Sequence, residues 1–518
     1  MSPNRSNKKL LFFLIFATIV LGVTNVYLFV DRYVTAKNEA VRKENERKAI
    51  LEGMSAVPTQ VTVDLSKKTV TGSPLIFGGS SFPDQLHTGV MDKLKAVGVT
   101  NIRKDFFLEY TSPAGITLDS YRRNDNNIQD IANWRTKDIG WANTNFVSAK
   151  SRGMKMMGIV TYAPKWLTHS GNEHGVPKDW GVYEDIVKKL YKHYRDNLDY
   201  LEMWNEPTYK YFLDPAGSGL TREEAYLQIF LHASKAIREV DSEINDGKKI
   251  PVGGFVAHTP TETGLLEYLM QNEEFRKSIN FISYHNYEHV PEPSWTAYKT
   301  ILAKYGMQNL PVFLTEWNYS PGFKEYNSKL VGDEAVTYTG DKLTSFLNMG
   351  LAGANYFALI AEDAKFTTPW SGYLAFYKWE NGKATLLPQA KTWRLMSVSL
   401  ALGKGKSQVY ETSYKDKEIN AAGFTNVKGQ KGTVLVNKGT TGKLVNVSFK
   451  NLGAPKHVII EEFIADPDHD GGTAVRKEYV DEPGEALNFT MYVPAQSVVG
   501  VLLSDTSKMQ EILKLFFK

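Results

Sequence analysis

From Leu75 onward the apolar positions fall into short runs separated by longer amphipathic stretches. The runs are 75–79, 99–103, 156–160, 200–204, 252–256, 279–283, 312–315 and 354–359. Their length predicts buried strands. Between them, segments such as 87–97, 183–197 and 223–240 place apolar residues at helical spacing. Strands that alternate with helices pair in parallel through right-handed crossovers. Eight such units predict an α/β fold of the closed (β/α)8 TIM barrel type over residues 72–400.

The rhythm changes on either side of this region. Beyond residue 401 short strands at 407–414, 433–437, 444–449, 457–464 and 498–503 are divided by Gly-rich turns such as Gly439-Thr-Thr-Gly442. This predicts an antiparallel β-sandwich over 401–505. The β-branched alternation of 57–71 reads as a strand that joins the sandwich, since the barrel needs no ninth strand. The tail 506–518 sets Met509, Ile512, Leu513 and Phe516 on one helical face, which suits docking on the protein.

The N-terminus carries a third pattern. Residues 10–30 read LLFFLIFATIVLGVTNVYLFV without a charge. As a helix they would span roughly 31 Å, about one hydrocarbon core. Asp31-Arg32-Tyr33 follows at once, where a signal peptide would show a small-residue cleavage site. The expectation is a transmembrane helix at 10–30 after a cytoplasmic segment 1–9. A longer signal peptide cut near Ala36 is the alternative. A charged helical stalk covers 31–56. Basic residues flank both ends of the apolar segment, so charge alone leaves its orientation open.

Composition narrows the chemistry. The chain has 518 residues and a net charge of only +4, which argues against a nucleic-acid partner. It has no cysteine, so disulfides, thiolate metal sites and cysteine nucleophiles are excluded. Trp 10, Tyr 27 and Phe 26 supply flat rings for a ligand with flat faces, although rings of this kind mostly pack cores.

In a barrel of this type the site lies at the C-terminal ends of the strands. Arg103 ends strand two, Tyr162 and Trp166 follow strand three, and Asn205-Glu206 follow strand four. His285 and Tyr287 follow strand six, and Glu316-Trp317 follow strand seven. After strand eight, Glu362-Asp363-Ala-Lys365 leads on to Trp370. Two glutamates thus end strands on opposite sides of one mouth. A carboxyl pair flanking one bond is the requirement of glycoside hydrolysis, one acid to protonate and one base to attack.

Trp204-Asn205-Glu206-Pro207 and Thr315-Glu316-Trp317 resemble the acid/base and nucleophile motifs of clan A glycoside hydrolases. Phe281-Ile-Ser-Tyr-His285-Asn-Tyr287 and the trailing sandwich are similar to family 39. That family includes β-xylosidases, α-L-iduronidases and hydrolases of bacterial exopolysaccharide. The resemblance covers roughly residues 59–505. It implies a retaining reaction with Glu206 as acid/base and Glu316 as nucleophile. It implies that Asn205 binds the sugar 2-hydroxyl, and that Arg103, His285 and Tyr287 order Glu316. Tyr162, Trp166, Trp317 and Trp370 would stack on sugar rings. Burial is expected to raise the pKa of Glu206. Tyr356-Phe357-Ala358 lacks the tryptophan of many relatives.

The expected substrate is an exopolysaccharide cut internally, with no cofactor and no metal, outside the membrane to which residues 10–30 tie the chain. An exo-acting, β-xylosidase-like enzyme is the alternative. A non-catalytic carbohydrate-binding scaffold ranks last, because it would not need the second carboxylate. His169-Ser-Gly-Asn-Glu-His174 lacks a third metal ligand. Asp466-Pro-Asp-His-Asp-Gly471 opens like a calcium loop, but its twelfth position is Lys477, and an Asp-rich structural turn is the better reading.

Overall fold

The computed structural model describes residues 57–80, 88–105, 108–134, 147–320, 329, 332–359, 376–380 and 383–507. The apolar segment 10–30, the stretch 31–56, Trp370 and the tail from 508 lie outside the described residues. Among the described residues no helix is long and apolar enough to cross a membrane.

Strand β1 (Thr59–Gly72) precedes the barrel. The barrel is closed by β2 (Gly78–Ser80), β3 (Asn101–Asp105), β4 (Lys155–Val160), β5 (Tyr200–Met203), β6 (Val252–Ala257), β7 (Phe281–Tyr287), β8 (Val312–Asn318) and β9 (Gly353–Tyr356). Neighbours pair in parallel, and β9 returns to β2. Each of the eight apolar runs supplies a barrel strand. Strands β7 and β8 run further than their apolar pattern, because the pairing continues through a bulge. Tyr284 faces Leu314 but His285 faces Glu316, so Thr315 is an extra residue on β8. A bulge of this kind bends the strand and re-aims the side chains beyond it.

Alternation within β5 sorts its side chains by face. Tyr200 packs with Met157, Phe281 and Phe313 as an apolar floor inside the barrel. Leu201 and Met203 belong instead to the main core, which includes the surrounding helices. Glycine makes room for the floor: a Cβ on Gly253 would lie 2.2 Å from the Phe281 ring, and one on Gly353 2.5 Å from Phe313. Outside β5 the helix Arg222–Ile244 begins at a capping box, in which the Thr221 hydroxyl accepts from the Glu224 N–H and the Glu224 carboxylate accepts from the Thr221 N–H. It meets the helix Trp180–Tyr194 through Tyr191, whose hydroxyl donates to Asp241 Oδ1 at 2.6 Å.

After the hairpin of β10 (Tyr377–Glu380) and β11 (Lys383–Leu386), the C-terminal region forms a second sheet. Its strands are β12 (Ser407–Tyr414), β13 (Ile419–Thr425), β14 (Lys431–Asn437), β15 (Lys443–Lys450), β16 (His457–Ala465), β17 (Asp470–Asp481), β18 (Ala486–Val493) and β19 (Ser497–Asp505). With β1 they make one nine-stranded sheet in the order β17-β16-β19-β14-β13-β12-β1-β15-β18. Val61, Leu435, Val447, Met491 and Val501 meet in its core, so the sheet curls over itself. The expected sandwich is corrected in two respects: β13, β17 and β18 add to the expected strands, and β1 runs parallel to β15, so the sheet is not purely antiparallel. Parallel neighbours need a long connection, and here the whole barrel lies between them.

The sheet and the barrel share a core. Val436, Val498 and Leu502 cluster with Trp393 and Phe346. Asn420 Nδ2 donates to Asp341 Oδ1 at 2.8 Å, and Asn348 Nδ2 donates to the Ala421 carbonyl at 3.0 Å. The Asp-rich turn lies at the same seam. Asp466 Oδ1 accepts the N–H groups of Asp468 and His469 at 2.9 and 2.7 Å. Lys391 Nζ donates to the carbonyls of Asp466 and Pro467 at 2.9 and 2.6 Å.

Candidate active site

Above the apolar floor lies a buried charged layer. Glu202 follows Tyr200 on the inward face of β5 and is 0% exposed. Its Oε2 is 2.6 Å from Arg103 Nη2 and accepts Arg103 Nε at 2.7 Å. The same guanidinium donates through Nη1 to Glu316 Oε1 at 2.6 Å and through Nη2 to Asn205 Oδ1 at 3.1 Å. Burial alone would lower the Arg103 pKa, but Glu202 and Glu316 outweigh it and keep the guanidinium charged. Such a fork holds two carboxylates in fixed geometry.

Glu316 is held from a second side. Tyr287 donates its hydroxyl to Glu316 Oε2 at 2.6 Å. Burial first, and the Glu316 charge second, raise the Tyr287 pKa well above its ordinary value. The phenol therefore stays a donor. One oxygen of Glu316 thus faces arginine and the other tyrosine.

Glu206 lies just past the end of β5, and the backbone there is unusual. Trp204 has φ 69° and Glu206 has φ 45°, a region that side-chain-bearing residues seldom adopt. Departures of this kind gather at functional sites, where surrounding packing holds them. Trp204 is fully buried and donates its indole N–H to the Phe212 carbonyl at 2.6 Å. His285 Nδ1 lies 2.6 Å from Glu206 Oε1 and 3.5 Å from Glu316 Oε2. His258 Nδ1 stands 2.8 Å from Glu206 Oε2, an ion-pair contact rather than a straight hydrogen bond.

Two expectations are corrected here. Burial does push the Glu206 carboxyl up, but the contacts with His258 and His285 outweigh it and hold Glu206 down at about 2. The pKa of His258 is raised in turn, chiefly by its contact with Glu206 and against burial. The resemblance assigned His285 to Glu316, whereas its nearer partner is Glu206. The bulge at Thr315 sets His285 opposite Glu316 in register, between the two carboxylates.

The aromatic residues divide. Tyr162 is 8% exposed and makes a wall with Trp204 at 5.1 Å, His174 at 4.4 Å and Phe212 at 6.2 Å between ring centroids. It is also hydrogen-bonded to Asn205. Trp166 is half-buried, stacked on Tyr121 at 5.2 Å, with its indole N–H on the Pro113 carbonyl at 3.0 Å. Trp317 is not a platform: it is 1% exposed and packs on Trp393, Phe346 and Tyr356. Adjacent strand residues face opposite ways, so a Glu316 turned to the mouth sends Trp317 to the helices. Just past β9 the half-buried Phe357 sets its ring at 90° to Tyr287, 6.2 Å away.

Glu202, His258 and Phe357 were missed as site residues. Glu202 had a signal, a carboxylate inside the apolar run Tyr200-Leu-Glu-Met-Trp204. His258 had none, because a single histidine after a strand is ordinary.

Residues 169–336 match the family Glycosyl hydrolases family 39. A beta-xylosidase from Caldicellulosiruptor saccharolyticus is 29% identical over 157 residues, which is 28% of this chain and 31% of that protein's length. Two solved structures share the fold over most of the chain. One is a glucosidase from Croceicoccus marinus, 13% identical with TM-score 0.63, covering 87% of this chain and 99% of its own. The other is a GH39 enzyme from Xanthomonas axonopodis pv. citri, 14% identical with TM-score 0.59, covering 88% and 98%. Residues 169–336, which hold Glu206 and Glu316, are thus similar to family 39 glycosyl hydrolases, and the chain shares its fold with the solved glucosidase and GH39 enzyme.

Proposed function

We propose that the protein hydrolyses a polysaccharide with retention of configuration, Glu316 acting as nucleophile and Glu206 as acid/base. One observation carries this reading. A carboxylate oxygen of Glu206 lies within 4.8 Å of one of Glu316. Retaining enzymes hold their carboxyl groups about 5–5.5 Å apart, whereas inverting ones leave room for a water at roughly 6.5–9.5 Å. Glu316, held between Arg103 and Tyr287, attacks the anomeric carbon. Glu206 protonates the departing oxygen, then takes a proton from the water that releases the glycosyl group. Asn205, held by Arg103 and Tyr162, is placed beside both carboxylates for a sugar hydroxyl.

The finer reading is an endo-acting enzyme on a bacterial exopolysaccharide, with the barrel outside the membrane to which residues 10–30 would anchor it. Tyr209 and the exposed Tyr211, 5.1 Å apart, extend the aromatic surface beyond Glu206 and suit a polymer that continues past the scissile bond. The beta-xylosidase relative favours the alternative, exo action on short xylosides.

One digest tests both. The protein is incubated with a panel of bacterial exopolysaccharides and with xylo-oligosaccharides, and products are followed by proton NMR from the first minutes. Initial products with the anomeric configuration of the substrate are expected, in mixed lengths for endo action and as monosaccharide for exo action. Glu206→Gln is expected to lose about 10²–10⁴-fold in rate. Wild-type activity in that variant, or inverted products, would refute the mechanism.

A further inference from the structure

We propose that His258 is a positioning residue that shares one proton with Glu206, holding the acid's proton on the pair until a leaving oxygen arrives. The inference rests on Glu206 being the acid/base, and it names a residue outside the strand-end motifs.

Geometry points to this role. His258 directly follows β6, the neighbour of β5. The pairing of β6 with β7 slips between Phe255 and Ala257, and Phe255 and Val256 have φ 82° and 40°. This bulge ends the strand and re-aims the residue that follows. His258 is then fixed on several sides. Its ring stacks on Tyr209 at 4.4 Å and 6°. Its backbone N–H donates to Glu262 Oε2 at 3.0 Å. The same Glu262 oxygen accepts the Thr208 hydroxyl, which ties the His258 loop to the loop that carries Glu206. Nothing in the fold of β6 alone requires such a cross-tie.

Both oxygens of Glu206 are covered by imidazole. His285 holds Oε1 and is fully buried, whereas His258 holds Oε2 with its side chain 35% exposed. A leaving oxygen therefore approaches on the His258 side. The charges that face His258 are Glu206 from the end of β5, Glu262 from its own loop and, farther off, Glu316 from β8. All are acidic, and Tyr209 presents a ring face. Before substrate arrives the pair is imidazolium and carboxylate. When a sugar expels water, the separated charges lose their solvation and the neutral pair is favoured. A turn of the ring brings the Nδ1–H of His258 into line with Glu206 Oε2, 2.8 Å away, and that N–H bond breaks as an O–H bond forms on the carboxyl. That proton passes to the glycosidic oxygen as its bond to the anomeric carbon breaks. In the second step Glu206 regains a proton from water and the pair is restored. No outside reagent is consumed.

The test uses the full chain with ¹³C-labelled histidine, in wild type, Glu206→Gln, His258→Asn and His258→Phe, the last keeping a ring against Tyr209. The His258 signal is identified by its loss in His258→Asn. Its titration is expected above the ordinary value of about 6.5 and to fall back toward it in Glu206→Gln. A His258 titration that Glu206→Gln leaves in place overturns the proposal. Phenyl β-xyloside and 2,4-dinitrophenyl β-xyloside then probe catalysis. Both His258 variants are expected to lose about 10²-fold on the phenyl substrate, which needs an acid, and much less on the activated one. The alkaline limb of kcat/KM on the phenyl substrate should move to lower pH, because a lone carboxyl releases its proton earlier than the pair. Equal losses on both substrates with an unmoved limb indicate a merely structural histidine and also overturn it. If wild type cleaves neither xyloside while the two titrations remain coupled, the xyloside reading fails and the shared proton stands.

Discussion

Arg103 binds more of the site together than any other side chain described here. Its guanidinium spans Glu202 on β5, Asn205 just past β5 and Glu316 on β8. A buried arginine is tolerable only while its partners stay, since an unpaired buried charge is costly. Glu202→Gln keeps the shape of the side chain and removes its charge. It is expected to destabilise the protein by about 3–5 kcal/mol, seen as a lower urea midpoint with an unchanged slope. An unmoved midpoint would refute the idea that Glu202 neutralises Arg103. At this scale the sequence was readable in part. Glu206, Glu316 and Arg103 were legible because each closes or follows a short apolar run. Glu202 was missed although it interrupts an apolar run, and Trp317 misled because its identity says nothing of its face.

At the scale of elements, the barrel strands do two jobs that their alternation alone does not separate. Their first residues build an apolar floor and their last ones carry charge. The floor is tight. Phe281 lies 4.9 Å from Phe313 and 6.0 Å from Tyr200, so its ring has nowhere to go if β6 gains a methyl group. Gly253→Ala is therefore expected to cost about 1–3 kcal/mol by overpacking. Gly264, in the helix Thr263–Gln271, has open space at its Cβ. Gly264→Ala should be neutral or stabilising by up to about 1 kcal/mol. Thermal unfolding of the two variants side by side checks the pair, and similar melting points would sink the argument. The bulges on β6 and β8 act at the same scale. They turn His258 and Glu316 toward Glu206, and no local propensity marks them, because each arises where two strands of unequal count must pair.

At the scale of the molecule, barrel and sheet are not independent. Strand β1 enters the chain before the barrel yet lies between β12 and β15. Gly340, in the helix Glu334–Met349, lets that helix approach β19 so closely that a Cβ would lie 2.4 Å from Val498. A core that runs without a break from Ile102 to Val498 has no seam at which to part. Heating the full chain in a calorimeter is expected to give one cooperative transition for both regions. Two separated peaks would show that the shared core does not couple them.

What the sequence determined by itself is the order of the barrel's elements and the β-rich character of the region after them. Periods of 2 and 3.6 are local properties, so eight strand–helix units, a β-rich C-terminal region and two strand-end glutamates could be read one segment at a time. Only the tertiary structure decided the chemistry around those glutamates. Arg103 meets Glu202, His285 meets Glu206 and His258 meets Glu206 because a closed ring brings distant strand ends to one mouth. The protonation of Glu206 depends on those neighbours more than on burial, so its electrostatics could not be inferred from the residue and its strand alone.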